Sequence, residues 1–107
     1  VNTSKYDYSY NADGLLIVNT GYTWDKNAIK WNEQNKNEYS YDANNNRSKY
    51  EWSIWDDSTN QWVYLRKFEY VFDNNDRQMQ TLGFVWEKGV GEWLPLQKDD
   101  YTYNADT

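Results

Sequence analysis

The chain has 107 residues, with 17 Asp and Glu against 11 Lys and Arg, for a net charge of −6. An acidic balance argues against nucleic acid as a partner, because a phosphate backbone is bound by cationic surface. No apolar run approaches the ~20 residues of a membrane-spanning helix; the longest is Leu15-Leu16-Ile17-Val18. Cys and His are both absent, which excludes disulfides, thiolate or imidazole metal sites, and any triad or general base built on His.

One phrase recurs down the chain at a fixed spacing of 31: KYDYSYNADG from Lys5, KNEYSYDANN from Lys36, KFEYVFDNND from Lys67 and KDDYTYNADT from Lys98. Tyr8, Tyr39, Tyr70 and Tyr101 share a column, as do Trp24, Trp55 and Trp86, and Trp31, Trp62 and Trp93. Self-similarity at fixed period marks a repeat architecture. The units run at about 5–35, 36–66 and 67–97 with a partial unit at 98–107, together one β-repeat domain over 1–107, expected as a segment of a longer array.

In chain order, hairpin connections are expected at 11–14, 25–30, 42–45, 56–61, 73–76 and 87–92. Within a unit the period is two: Trp62, Tyr64, Arg66, Phe68, Tyr70 and Phe72 alternate along one strand, followed by a turn cluster and a second strand from Arg77 to Trp86. The column of Gly14 and Asn45 suits a residue at positive φ that closes a three-residue loop. The fold expected is all-β, an antiparallel β-meander of about seven strands built from two-strand repeats, a curled sheet or barrel-like.

Continued at period two without interruption, the register sets Trp24 opposite Trp31, Trp55 opposite Trp62 and Trp86 opposite Trp93, as clasps on the longer loops. It also puts the Tyr columns on the same face as these Trp residues and the Lys column on the other face. Trp52 should then meet Leu65, and Ile54 should meet Val63. Aromatics that recur in every unit are first of all structural. Tyr50 and Trp52 do not recur, since their column mates are Asn19, Thr81, Gly21 and Gly83. With Ile54, Val63 and Leu65 they form the expected binding patch, because an apolar cluster on an otherwise polar face marks a contact site. The same patch motivates self-association, with the 50–55 and 62–66 strands at or near the contact.

The unit K-x-E-Y-x-Y-D…W-D-x-x-x-N-x-W is similar to tandem repeats of secreted or surface proteins of Bacteroidetes-type bacteria. It rests on Lys36, Glu38, Tyr39, Tyr41, Asp42, Trp55, Asp56 and Trp62. More distantly, Tyr41-Asp42 and Phe72-Asp73 resemble the tyrosine–aspartate repeats of bacterial shell-forming toxins. The resemblance implies an extracellular or cell-surface location and supplies no catalytic residue.

The remaining chemistry is sparse. Asp73-Asn74-Asn75-Asp76 offers oxygen ligands to a hard cation but lacks the length of a dedicated calcium loop. Asp57-Ser58-Thr59 resembles an O-glycosylation acceptor that the other units lack. No catalytic residue, cofactor or metal is expected. The function expected is a non-catalytic repeat module that binds a glycan or a protein surface, with a homo-oligomer or neighbouring repeats as further partners and no membrane insertion. The alternative is a purely structural array: spacer, shell or self-assembling sheet.

Overall fold

In a computed structural model of the chain, residues 3–103 are described; the last four residues of the partial unit at 98–107 lie outside them. Seven strands follow one another: β1 (Ser4–Tyr10), β2 (Leu16–Asp25), β3 (Lys30–Tyr41), β4 (Arg47–Asp56), β5 (Gln61–Phe72), β6 (Gln78–Glu87) and β7 (Glu92–Asp100). Their order in the sheet is the order in the chain, and the pairings along it are antiparallel. All six connections fall where the repeat predicts. The barrel-like closure does not form, because β1 and β7 each stand at an end of the strand order.

The strands divide into two compact units, Val1–Tyr39 with Glu51–Leu65, and Ser40–Tyr50 with Arg66–Thr107. Neither has a conventional core. Among the described residues no hydrophobic side chain is fully buried, and the buried positions are Ser53, Thr81, Gly21 and Gly83. Rings and lysine stems lie along the strands and cover one another sideways, so partial burial of many large side chains replaces full burial of a few.

The short turns are built alike. In each, a side-chain oxygen at the first position accepts two backbone N–H groups, two and four residues on. Asn11 accepts from Asp13 and Leu15 at 2.9 and 3.0 Å, Asp42 from Asn44 and Asn46 at 2.9 Å each, and Asp73 from Asn75 and Arg77 at 2.8 and 3.0 Å. Gly14, Asn45 and Asp76 close these turns at φ of 79°, 64° and 61°, the left-handed region that Gly, Asn and Asp tolerate best.

Irregularities between neighbouring strands interrupt the strict period of two. Ser9 faces Val18 but Tyr10 faces Leu16, so Ile17 is skipped; Met79 is skipped in the same way between Val71 and Phe72. On the other strand type, Gln34 is skipped between Gly21 and Tyr22, and Leu96 between Gly83 and Phe84. Each is a β-bulge, and each moves the residues beyond it to the opposite face.

Candidate functional site

The bulges correct the expected face assignment. In β6, Trp86, Phe84 and Leu82 alternate on one face and pair with Trp93, Pro95 and Lys98, while Gly83 and Thr81 on the other face pair with Phe68 and Tyr70. The Lys column therefore shares a face with the Trp clasps, and the Tyr column lies on the reverse. A register without bulges had put Lys and Trp on opposite faces.

That correction assembles the molecule's most regular side-chain cluster. The Trp pairs meet edge to face, with ring centroids 5.1 Å apart for Trp24–Trp31 and 5.2 Å for Trp55–Trp62 and Trp86–Trp93. Above them sit the lysines. In the first unit Lys5 Nζ lies 4.8 Å from the Tyr22 ring and 5.2 Å from Trp31, and Lys36 lies 4.8 Å from Trp62. In the second, Lys67 lies 4.6 Å from Phe84 and 4.9 Å from Trp93. Each cation is also paired with a carboxylate two residues on, Asp7 at 3.9 Å, Glu38 at 3.6 Å and Glu69 at 3.5 Å. Ser53 holds the column of Tyr22 and Phe84 and is 1% exposed. Burial, with Asp7 and Glu33 nearby, pushes the Tyr22 phenol up from its ordinary value. The ordered partners on both sides of each lysine make this cluster a brace.

The reverse face carries the non-recurrent residues. At Gly21 a β-carbon would come within 2.8 Å of the Tyr6 ring and 2.5 Å of Asn35 Oδ1. At Gly83 it would come within 3.2 Å of the Phe68 ring and 2.8 Å of Gln97 Cγ. A ring on the preceding strand thus lies over each glycine. In the middle repeat both columns change together: Asn37 stands in the ring column and Trp52 in the glycine column. The large side chain has moved from one strand type to the other, so the bulk in the pair of columns is kept.

Of the five expected patch residues, four fall in the first unit. Trp52 and Ile54 are each 38% exposed, while Val63 and Leu65 are half-buried. Leu65 stands in the column of the skipped residues Gln34 and Leu96, so a direct Trp52–Leu65 pairing is not what this column provides. Tyr50 falls in the second unit, where its ring stacks on Phe68 at 6.4 Å and 10° between planes. Of the expected patch residues, Trp52 and Ile54 are thus the exposed ones, and Tyr50 belongs to an aromatic pair with Phe68.

Open grooves among the described residues lie in the second unit. One, of about 450 Å³, is lined by Leu82, Phe84, Pro95, Leu96, Gln97 and Lys98; the other, of about 180 Å³, by Arg47, Tyr70, Phe72 and Gln78. Burial pushes the Tyr70 phenol up from its ordinary value against the opposing pull of Arg47. In the turn at 73–76, Asp73 Oδ1 accepts the Asn75 and Arg77 N–H groups, and its Oδ2 pairs with Arg77 Nε at 3.0 Å. Its oxygens serve the chain itself. Among the described residues no cluster of three or more Asp or Glu side chains is placed to hold a metal ion.

No family model matches the chain, and no curated protein does. Two solved structures share its fold. One is a DUF3836 family protein from Bacteroides vulgatus ATCC 8482, with a TM-score of 0.72 and 21% identity over 92% of this chain and 100% of that one. The other is a DUF3836 family protein from Parabacteroides distasonis ATCC 8503, with a TM-score of 0.67 and 20% identity over 92% of this chain and 86% of that one.

Proposed function

We propose that the chain is a non-catalytic repeat module, displayed outside the cell, that works by binding a glycan or protein surface. The observation that carries this reading is the exposure of large apolar side chains where the repeat does not require them, above all Trp52 and Ile54 at 38% each. Their column mates are Gly21 and Gly83, and Thr23 and Val85, so the fold forms without these side chains. Large exposed rings with neighbouring polar groups suit flat partners. The absence of His and Cys and the engagement of the turn carboxylates with their own backbone speak for binding over catalysis.

A glycan array and a surface-protein pull-down with the intact chain and with Trp52→Ala test the reading. Binding that needs Trp52 supports it. No binding, together with concentration-dependent association by light scattering, supports the structural alternative of a spacer or self-assembling sheet, which the repetition of the unit favours.

A further inference from the structure

We propose that the smaller groove of the second unit, walled by Arg47, Tyr70, Phe72 and Gln78, binds one hexuronate residue of an acidic polysaccharide. The site is separate from Trp52. It goes beyond the binding-module reading by naming a ligand and the side chains that take it.

The groove lies in the interior of the strand order. Arg47 comes from β4, Tyr70 and Phe72 from β5 and Gln78 from β6, and each of these strands has a neighbour on both sides. These residues all belong to one compact unit. At about 180 Å³ the groove is smaller than the ~300–1,000 Å³ pockets of drug-sized ligands. It suits one ring of a longer chain.

Two of its residues depart from the repeat. Leu16 and Gln78 share the column of Arg47, so the fold forms without a guanidinium there. Tyr10, Tyr41 and Tyr103 share the column of Phe72. The Tyr103 hydroxyl donates to Gln78 C=O at 2.7 Å. One repeat earlier the equivalent reach runs from Phe72 toward Arg47, and Phe72 has no hydroxyl to make it. At this point the sheet gains a cation and loses a phenol, which sets an apolar wall beside a charged one.

These walls select the ligand. Arg47 is exposed, while Tyr70, Phe72 and Gln78 are half-buried. A guanidinium takes a carboxylate through two parallel N–H···O bonds. Ring faces carry partial negative charge that attracts the C–H faces of a pyranose. Gln78 Nε2 donates to Thr81 Oγ1, which orients the amide with its oxygen as an acceptor for a sugar hydroxyl. The local charge agrees in sign: Arg47 and Tyr101 act on the Tyr70 phenol, and no carboxylate does. Asp73, next to Phe72 in the chain, is committed to the Asn75 and Arg77 N–H groups and to the Arg77 guanidinium. The net charge of −6 opposes an acidic ligand at long range, but it is screened beyond ~8 Å at physiological ionic strength. A peptide carboxylate satisfies Arg47 and leaves the ring walls without a flat partner, which favours the sugar.

The test titrates trigalacturonate and triglucuronate, which differ only at C4 of each ring, into the whole chain by calorimetry. Their neutral methyl esters and triglutamate serve as comparisons. Saturable binding of at least one hexuronate is expected, weakened about tenfold or more in its ester, as for loss of a charge-assisted hydrogen bond. Triglutamate is expected to bind more weakly than the sugar. The variants come from the repeat itself, and circular dichroism checks the fold. Arg47→Leu is expected to weaken binding about tenfold or more, and Phe72→Tyr, which puts a hydroxyl into the groove, severalfold. Failure of both hexuronates to bind, equal binding of the esters, triglutamate binding as tight as the sugar, or binding that survives Arg47→Leu overturns the site. Such a failure while Trp52-dependent binding persists overturns this site and leaves the module reading standing. Arg47-dependent binding with no Trp52-dependent partner supports this site alone.

Discussion

The short turns and the long loops of this chain solve the same problem, reversing a strand, in different ways. At residues 42–45 the solution is local: one carboxylate accepts two backbone N–H groups, and Asn45 supplies the positive φ. At residues 57–60 a local turn is present as well, with Asp56 Oδ1 accepting the Ser58 N–H at 2.9 Å and Asn60 at a φ of 55°, and a clasp is added to it. Trp55 and Trp62 close on each other at 5.2 Å, and Lys36, from β3, lies over Trp62. The backbone of the short turn is thus held within five residues, although the Asn44 and Asn46 side-chain amides also donate to Asp76 Oδ1 at 3.1 and 2.8 Å. The long loop adds to its local turn a ring pair and a lysine from another strand. Stability should concentrate at the clasps, and register should be set at the turns.

The sharpest way to break that contrast is to remove a clasp. Trp62→Ala deletes the edge-to-face pair and the platform under Lys36. Fully buried Trp to Ala changes cost ~3–5 kcal/mol. Trp62 is half-buried, so the expected loss is about 2–3 kcal/mol, read as a shift in the urea midpoint. A loss no greater than that for Asp42→Ala, measured in parallel, would show that the clasps are no more important than the turns.

The next effect tests the reverse face. Gly83→Ala places a methyl group within 3.2 Å of the Phe68 ring and 2.8 Å of Gln97 Cγ. Overpacking costs roughly 1–3 kcal/mol, with the lower part expected here because Gln97 is a flexible, exposed side chain. The exchange seen in the middle repeat sharpens the test. Combining Gly83→Trp with Phe68→Asn should be tolerated better than Gly83→Trp alone, and equal thermal midpoints for the two would discard the idea of compensating columns.

These two experiments also mark what the sequence could and could not disclose. The connections and the Trp pairs were legible because they depend on residue type at fixed spacing, such as Asp42 before Asn45, or Trp55 seven residues before Trp62. The faces were not legible. A bulge inserts one residue without a composition signal: Gln34 and Leu96 share a column but not a chemistry. Once a bulge is missed, every later side chain is placed on the wrong face, which is how Lys36 was separated from Trp62. One signal was available, namely that a strict alternation would have left the Lys column without a recurrent ring to cover. Barrel closure was likewise beyond reach, since it depends on whether rings bury against an opposite wall or lie along the strands.

A smaller effect, of opposite sign, lies in a long loop. Ile29 sits at φ 54° and its column mates Asn60 and Gly91 at 55° and 74°. A β-branched residue there is strained, and left-handed backbone costs a non-glycine residue ~1–2 kcal/mol. Ile29 is also 75% exposed, so it offers little packing in return. Ile29→Gly should raise stability by about 1 kcal/mol, less any entropy cost of the glycine, seen as a higher thermal midpoint. A lower midpoint would mean that the Ile29 side chain packs against something important to the loop.

The smallest expected effect at neutral pH belongs to the short turns and isolates what charge adds to them. The Asn46 N–H first, and the Asn44 N–H with it, hold the Asp42 carboxyl below its usual range. A carboxyl whose pKa is lower in the folded state contributes stability that is present above its unfolded value, ~3.9, and lost as pH falls through the folded value. Asp42 should therefore weaken the fold progressively in acid below about pH 4. Asn11 makes the same two backbone contacts with an amide oxygen, so the geometry needs an acceptor and not a charge. Asp42→Asn should leave the thermal midpoint at pH 7 nearly unchanged and reduce its fall between pH 5 and pH 3, ranges set around the ordinary Asp value of about 3.9. Asp42→Ala should lower the midpoint at neutral pH, because the Asn44 and Asn46 N–H groups lose their acceptor. If Asp42→Asn and Asp42→Ala behave alike at pH 7, the turn is held by its positive-φ residue alone, and the local half of the contrast with the Trp clasps must be assigned to Asn45.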